Sequence, residues 1–197
     1  TGFIGQRLVS ALLRSGVTVR AIIRPGRQAD QRLPDACEQI PADLADVEKL
    51  AAATAGCSAV IYCAGSVRGR TASDFSAANV KGVKTMCEAL GSAENPPPLL
   101  LISSLAASRP ELSDYANSKR AGEQVLLGNS KLPWTILRPA AVYGPGDREM
   151  LPLLKMIRRG LLAHAGPAGQ KLSLLHVDDL VEAVMRWLSA PQKCLHK

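Results

Sequence analysis

Short, mostly apolar runs alternate along the chain with longer segments of helical periodicity. The apolar runs are rich in β-branched residues and predict five strands, near 17–23, 38–40, 59–63, 99–103 and 134–137. The periodic segments predict helices near 4–15, 46–55, 73–91 and 113–128. Strands that are nearly all apolar are buried on both faces, and their alternation with helices indicates parallel crossovers. The pattern therefore predicts an α/β fold built on a doubly wound parallel sheet.

The pattern loosens after Pro139. Its remaining predicted elements are a Gly/Pro turn, a helix, a strand and a closing helix, over 143–147, 148–159, 172–177 and 178–189. Asp178 or Asp179 is predicted to cap the closing helix. We interpret this section as the beginning of a smaller, substrate-side subdomain.

Composition limits the class of protein further. With 197 residues, 47% of them hydrophobic and 21% charged, the chain fits one globular domain with part of a second. No apolar stretch approaches the roughly 18 residues of a membrane span, and the first residues do not form a secretory signal. The five cysteines form no CxxC pair, and the three histidines lack metal-ligand spacing. We expect a cytoplasmic protein with reduced core thiols, no metal site and no membrane partner.

The basic excess has two readings. Lys and Arg number 24 against 17 Asp and Glu, which gives a net charge of +7. The bases are dispersed and have no interleaved aromatic residues, so we expect no nucleic-acid partner but a solvated surface or a phosphate-bearing small ligand. Arg68 and Arg70 follow the strand at 59–63, where they either contact an anionic substrate group or lie in a solvated loop.

Gly2 and Gly5 stand at the start of the first predicted helix. In a dinucleotide-binding fold such glycines let the backbone approach a pyrophosphate, although a plain helix-start turn has the same appearance. The next strand ends at Arg24, about twenty residues on, where these folds select the cofactor. Because an Arg there pairs with a 2′-phosphate, Arg24 and nearby Arg27 favour NADP over NAD, although a solvated arginine at a strand end has the same appearance. Asp43, after the next strand, is placed either to accept from the adenine amino group or to start a helix.

Tyr115 and Lys119 have the spacing of one helix face. A phenol has a pKa near 10, and an adjacent ammonium favours the phenolate, which suits acid/base catalysis. Ser103 and Ser104 end the preceding strand and either supply a hydroxyl beside the phenol or simply begin a loop.

These motifs, in this order, resemble the extended branch of the short-chain dehydrogenase/reductase superfamily, the NAD-dependent epimerase/dehydratase family. The segments that carry the resemblance are the glycine turn, Asp43, 62–65, 79–82, 103–104, 115–119, 138–147 and 176–180. The resemblance implies an NAD(P)-binding Rossmann domain over 1–145, a partial substrate-binding subdomain over 146–175 and a returning helix over 176–190. The strand and the glycine that precede Gly2 in the family pattern are absent, so we expect the natural protein to extend upstream and beyond Lys197.

The resemblance also implies roles for individual residues. Tyr115 matches the catalytic acid/base and Lys119 the residue that assists it and holds the nicotinamide ribose. Ser104, rather than Ser103, matches the group that binds the substrate oxygen, and Asn79 the helix asparagine near the active site. The implied cofactor-binding residues are Gly2, Phe3, Ile4, Gly5, Arg24, Asp43, Leu44, Cys63, Ala64, Gly65, Tyr115, Lys119, Pro139 and Val142. His176 matches a structural anchor of the returning helix.

Three functions follow as alternatives. The first is an NAD(P)-dependent oxidoreductase that transfers hydride between the nicotinamide and a carbonyl or alcohol carbon, with NADP favoured and NAD the alternative. The second is a nucleotide-sugar epimerase or dehydratase with the same cofactor, although the Thr and acidic residues usual in dehydratases are missing near Ser104. The third is a non-catalytic dinucleotide sensor or scaffold. The expected partner is a small-molecule substrate of unspecified identity, and a homodimer is left open.

Overall fold

The computed structural model describes residues 2–26, 31–161 and 171–197, in which parallel strands alternate with helices. The first half contains α1 (Phe3–Arg14), β1 (Arg20–Ile23), β2 (Glu38–Pro41), α2 (Val47–Thr54), β3 (Val60–Tyr62), α3 (Ala72–Ser76) and α4 (Gly82–Gly91). The second half contains β4 (Leu99–Ile102), α5 (Asp114–Leu127), β5 (Trp134–Leu137), β6 (Ala141–Tyr143), α6 (Leu151–Arg158), β7 (Leu174–His176) and α7 (Val177–Ser189). A π-helical turn, Ala77–Lys81, joins α3 to α4, and 3₁₀ turns span Leu105–Ser108, Pro110–Leu112 and Pro191–Cys194.

The strands pair in parallel, as predicted. β1 lies beside β2, with Ile22 opposite Ile40, and β4 lies between β3 and β5. These two groups match positions 3-2 and 4-5-6 of the doubly wound order 3-2-1-4-5-6, and no described strand pairs β1 with β3. A third parallel pair joins β6 to β7. The predicted α/β class is therefore confirmed.

The core lies on both faces of β4, whose four residues are all buried. Leu99 and Leu101 belong to a cluster with apolar residues of α2, α4 and α5. Leu100 and Ile102 point to the opposite face, where they pack with α1 and α7. Successive strand side chains alternate between faces, so this double burial requires helices on both sides of the sheet.

The structure corrects the predicted cap of the last helix. His176, not Asp178 or Asp179, is the N-cap of α7, and its Nδ1 accepts a hydrogen bond from the backbone N–H of Asp178 at 3.3 Å. The reason is that β7 runs into α7 without a loop, so the last strand residue takes the capping position. The two aspartates lie in the first turn instead, where their charge favours the helix dipole.

The region after β5 holds two further differences. β6 was not predicted, because its three residues gain their strand geometry by pairing with β7, far along the chain. α6 begins at Leu151 rather than near 148, since the Asp147 carboxylate accepts from the backbone N–H groups of Glu149 and Met150 and holds a turn there. The predicted boundaries at 145 and 175 stay a prediction, and 162–170 lie outside the described residues.

Helix α5 packs so closely on the π-helical turn that Gly122 has no room for a side chain. A Cβ there would lie 2.1 Å from the carbonyl oxygen of Asn79, which is backbone and cannot move aside cheaply. We expect Gly122→Ala to lower the free energy of unfolding by about 2 kcal/mol, because overpacking outweighs the better helix propensity of Ala.

Urea unfolding measures this loss. The matched control is Gly91→Ala at the end of α4, where a Cβ would meet nothing within 4 Å and no loss is expected. Equal stability of Gly122→Ala and the parent chain would contradict the close approach of α5.

Candidate functional site

Five of the residues predicted for the site come within three residues of the ends of neighbouring strands. Cys63, Ala64 and Gly65 come after β3, Ser104 comes after β4, and Pro139 comes after β5. Because β3, β4 and β5 are parallel neighbours, their carboxyl ends share one edge of the sheet. In open parallel sheets this edge is where ligands bind.

Lys119 lies in the middle of α5 and is 7% exposed. Its Nζ donates a hydrogen bond to the carbonyl oxygen of Ile102, the last residue of β4, at 2.8 Å. Burial lowers the pKa of Lys119 to about 8, against the opposing influence of Glu123 and Cys63. The ammonium is therefore fixed at the end of β4, and at this pKa it is still mostly charged at pH 7, the state that favours the phenolate form of a neighbouring phenol.

Asn79 lies in the π-helical turn, and all of its amide bonds go to protein groups. Nδ2 donates to the Ser66 carbonyl oxygen at 3.0 Å and to Ser118 Oγ at 2.9 Å, and Oδ1 accepts from the Ser66 N–H at 3.1 Å. A Cβ built on Gly65 would lie 3.1 Å from Asn79 Oδ1 and 3.9 Å from Lys119 Nζ. Asn79 therefore holds the loop after β3 beside Lys119, and π-helical turns are frequent at such functional positions.

Tyr115 stands at the start of α5, in a turn capped by Ser113. Its half-buried ring packs edge-on against Phe75, with centroids 6.1 Å apart. Ser104 Oγ accepts from the N–H of Ala106 at 3.2 Å and so caps the short helix that follows β4. Within the described residues, the Tyr115 hydroxyl makes no hydrogen bond to Ser104 or Lys119. The structure thus brings Lys119, Asn79 and Gly65 together. The hydroxyls of Tyr115 and Ser104 do not bond to each other.

The glycine turn, which holds Gly2 and Gly5, is the predicted pyrophosphate-binding part of the site. Gly2 is the N-cap residue of α1, Gly5 is buried, and no described side chain caps the first turn. Gly146, in the turn after β6, lies close to the Phe3 ring: a Cβ on Gly146 would be 3.6 Å from a ring carbon. Ile4 packs into the core below β3 and β4. Among the described residues, no side chain therefore caps the first N–H groups of α1, where an anion can bind.

The predicted cofactor-selecting residues have different surroundings. Arg24 directly follows β1 and is exposed, while Arg27 lies outside the described residues. Asp43 Oδ1 accepts from the Ala45 N–H at 2.9 Å and so holds the turn before α2, whose cap is Asp46. Leu44 packs against the core, and Val142 in β6 is half-buried. The roles of these residues in binding stay predictions.

Arg68 is engaged by a carboxylate of this chain. Its Nε and Nη2 lie 3.1 and 3.0 Å from the two oxygens of Glu149, so the pair is bidentate. The contact ties the loop after β3 to the turn before α6. Exposed ion pairs contribute little to stability, so its effect is on the loop's position.

Sequence reasoning missed a buried ion network at the end of β4. Glu123 is 0% exposed and binds Ser103, Arg138 and Arg120. Burial raises the pKa of this carboxyl, but the hydrogen bonds from Arg138 and Ser103 outweigh burial and hold the pKa below its usual range. The available signal was the position of Glu123 one helical turn after Lys119; nothing local showed that the side chain is buried.

In residues 2–26, 31–161 and 171–197, no group of three or more His, Cys, Asp or Glu side chains is arranged to hold a metal ion. Among the same residues, no helix has the length and apolar character to cross a membrane. None of the five cysteines is in a disulfide, and Cys37 and Cys87 are buried.

The fold and the site together define a dinucleotide-binding α/β protein. The chain belongs to the NAD-dependent epimerase/dehydratase family, whose model matches residues 1–197. It is thereby a member of the extended short-chain dehydrogenase/reductase superfamily, which confirms the resemblance that its motifs show.

Relatives within this superfamily include named reductases. A ceramide reductase of Caulobacter vibrioides is 32% identical over 191 residues, which are 97% of this chain and 59% of that protein. A 2-alkyl-3-oxoalkanoate reductase of Stenotrophomonas maltophilia is 28% identical over 200 residues, which are 90% of this chain and 60% of that protein. The chain therefore spans less than two thirds of the length of these curated relatives.

Solved structures agree with the fold. The enzyme WbmH of Bordetella bronchiseptica, in complex with NAD⁺, is 21% identical with a TM-score of 0.79 over 96% of this chain and 70% of that chain. A UDP-glucuronic acid 4-epimerase of Bacillus cereus, in complex with NAD, is 23% identical with a TM-score of 0.77 over 95% of this chain and 71% of that chain. At these identities the likeness shows the fold alone.

Proposed function

We propose that the protein is an NADP-dependent reductase of ketones that carry an alkyl chain. The observation that carries this proposal is the buried Lys119 ammonium, held at the end of β4 one helical turn after Tyr115. A proton donor and a nearby cation at the carboxyl edge of a dinucleotide-binding sheet suit hydride transfer to a carbonyl. The names of the relatives support a reductase and, in the 2-alkyl-3-oxoalkanoate reductase, an alkylated ketone substrate.

An apolar surface supports the substrate class. Four large apolar side chains of α6 and the residues directly after it are between 38% and 59% exposed: Leu151, Leu154, Ile157 and Leu161. This surface follows the turn that contains Glu149, the ion-pair partner of Arg68. An alkyl chain is the kind of group that such a surface would take out of water.

The residues present fit a dinucleotide cofactor. The first turn of α1, which no described side chain caps, would hold the pyrophosphate. Lys119 would hold the ribose, next to Gly65, where a Cβ would lie 3.9 Å from Lys119 Nζ. Exposed Arg24 would pair with a 2′-phosphate. When bound, the nicotinamide supplies the hydride. Pro139 and Val142 would line its pocket.

The chain's own groups then manage the proton. Tyr115 Oη would donate a proton to the carbonyl oxygen as that oxygen becomes an alcohol, and Ser104 Oγ would donate a hydrogen bond to the same oxygen. Lys119 stabilises the negative charge that this transfer leaves on the phenol oxygen. The proton from Tyr115 would balance the hydride that bound NADPH would supply to the carbonyl carbon.

A substrate test separates this proposal from its alternatives. The full-length protein is incubated with NADPH and a 2-alkyl-3-oxoalkanoate, and NADPH absorbance and alcohol formation are followed together. We expect equal amounts of NADPH consumed and alcohol formed. Conversion of a UDP-sugar without net cofactor consumption would favour the epimerase alternative, and cofactor binding without any turnover would favour a sensor or scaffold.

Arg24 provides a prediction about cofactor choice. Arg24→Asp is expected to lower the NADPH-over-NADH preference, measured as a ratio of kcat/KM values, by at least about 10-fold, since it exchanges a partner of the 2′-phosphate for a carboxylate that repels it. The control is Arg14→Asp, the same charge change at the exposed end of α1. If both variants keep the parent ratio, Arg24 does not select the cofactor.

A further inference from the structure

A buried carboxylate lies one turn beyond Lys119 with all of its acceptor positions occupied. Oε1 of Glu123 accepts from Ser103 Oγ at 2.5 Å and from Arg138 Nε at 2.8 Å. Oε2 accepts from Arg138 Nη2 at 2.6 Å and from Arg120 Nη1 at 3.2 Å. An ion buried this completely persists only where such partners compensate its lost hydration.

The bonds of Glu123 and Lys119 hold two consecutive residues of the chain. Lys119 donates to the carbonyl oxygen of Ile102, and Glu123 accepts from the side chain of Ser103. Two successive turns of α5 therefore hold the end of β4 by hydrogen bonds, immediately before Ser104. On the other side, the Ser103 N–H donates to the Leu137 carbonyl oxygen at 2.7 Å, next to Arg138. The network thus joins β4, β5 and α5 at the point where Ser104 leaves the sheet.

The charges around Lys119 give Glu123 a second effect. The charges that act on Lys119 come from Glu123 on its own helix and Cys63 at the end of β3, and neutral Asn79 of the π-helical turn lies near the same glycine, Gly65. Cys63 is accessible as a residue, yet desolvation raises the pKa of its thiol, which keeps the sulfur uncharged at neutral pH. Glu123 is therefore the ionised carboxylate acting on Lys119 within the described residues, and it favours the ammonium while burial disfavours it.

We infer that Glu123 is a positioning residue for the proposed reduction: it fastens the end of β4 to α5 and sets its carboxylate one helical turn from the Lys119 ammonium. This inference rests on the proposed function for its catalytic consequence. Its effect on the charge of Lys119 does not depend on that function and is measured separately.

The catalytic test is the pH profile of Glu123→Gln in the full-length protein. Gln keeps an oxygen acceptor for Ser103 and Arg138 but removes the charge, so the Lys119 midpoint is expected to fall by about one pH unit. From a midpoint of about 8 in the parent, the protonated fraction then falls about eightfold at pH 8.5 but only by about a tenth at pH 6. We expect kcat for ketone reduction to follow these ratios, with the KM for NADPH unchanged.

A merely structural role predicts a different profile, in which turnover falls by the same factor at every pH; that result would overturn the inference. The matched control is Glu182→Gln, which removes the carboxylate of the exposed Glu182–Arg186 pair on α7. We expect this control to have the parent profile.

A second measurement separates this inference from the proposed function. NMR of protein labelled with ¹³C at the lysine side chains gives the Lys119 titration midpoint, with Lys119→Met used to assign the signal. A midpoint lower in Glu123→Gln than in the parent supports the role of Glu123, and an identical midpoint overturns it, whether or not the protein reduces a ketone. A parent protein without turnover on any ketone overturns the proposed reduction alone.

Discussion

Replacement of Tyr115 by Phe is expected to lower turnover by about 10³-fold, the size of effect that a positioned proton donor contributes. The change removes only the hydroxyl, which bonds neither Ser104 nor Lys119 in the described residues. The ring contact with Phe75 is preserved. We therefore expect the free energy of unfolding to stay within about 0.5 kcal/mol of the parent value.

Steady-state reduction of a 2-alkyl-3-oxoalkanoate and urea unfolding test the two halves of this expectation. Tyr143→Phe is the matched control, because Tyr143 is also half-buried and packs edge-on against a ring, that of His176. We expect Tyr143→Phe to retain turnover. Near-normal activity of Tyr115→Phe would remove Tyr115 from the mechanism.

Lys119→Met is expected to abolish turnover and, at pH 7, to stabilise the fold. Burial holds the pKa of Lys119 at about 8 in the folded chain, below its ordinary value of 10.5. Protonation of Lys119 therefore favours the unfolded chain. This loss of folding stability is fully present below pH 8. It disappears as the pH rises from 8 to 10.5, where the unfolded chain also loses the proton.

The size of this effect follows from the two pKa values. Keeping a charged Lys119 folded at pH 7 costs on the order of 3 kcal/mol, and the variant also loses the bond to Ile102, which contributes about 1 kcal/mol. We expect a net gain of about 1 to 2 kcal/mol at pH 7 and none at pH 10.5.

Urea unfolding of parent and variant at both pH values tests this difference. Lys81→Met, at an exposed position of the π-helical turn, is the control and is expected to change little at either pH. Destabilisation of Lys119→Met by the same amount at pH 7 and pH 10.5 would show that Lys119 is an ordinary packed side chain.

The elements that sequence reasoning predicted well are those whose signal is local. β4 is an uninterrupted apolar run, and its burial on both faces follows from composition alone. The spacing of Tyr115 and Lys119 likewise places both on one helix face wherever the helix packs. Such features need no knowledge of the partner element.

The features that were missed depend on distant contacts. β6 becomes a strand because β7 pairs with it, and His176 caps α7 because no loop separates it from β7. Glu123 looks like any polar helix residue until Arg138 and Ser103, from two different strand ends, enclose it. Sequence patterns alone do not reveal which charged side chain will be buried in this way.

Transfer of deuterium from the cofactor tests the central claim most directly. The full-length protein is given a 2-alkyl-3-oxoalkanoate and NADPH labelled at nicotinamide C4, with each face of the ring labelled in a separate reaction. The proposed reduction predicts an alcohol with one deuterium on the carbinol carbon from one of the two faces, and no such product from Tyr115→Phe. Epimerisation of a UDP-sugar with all deuterium retained in the cofactor, and none in any alcohol, would contradict it.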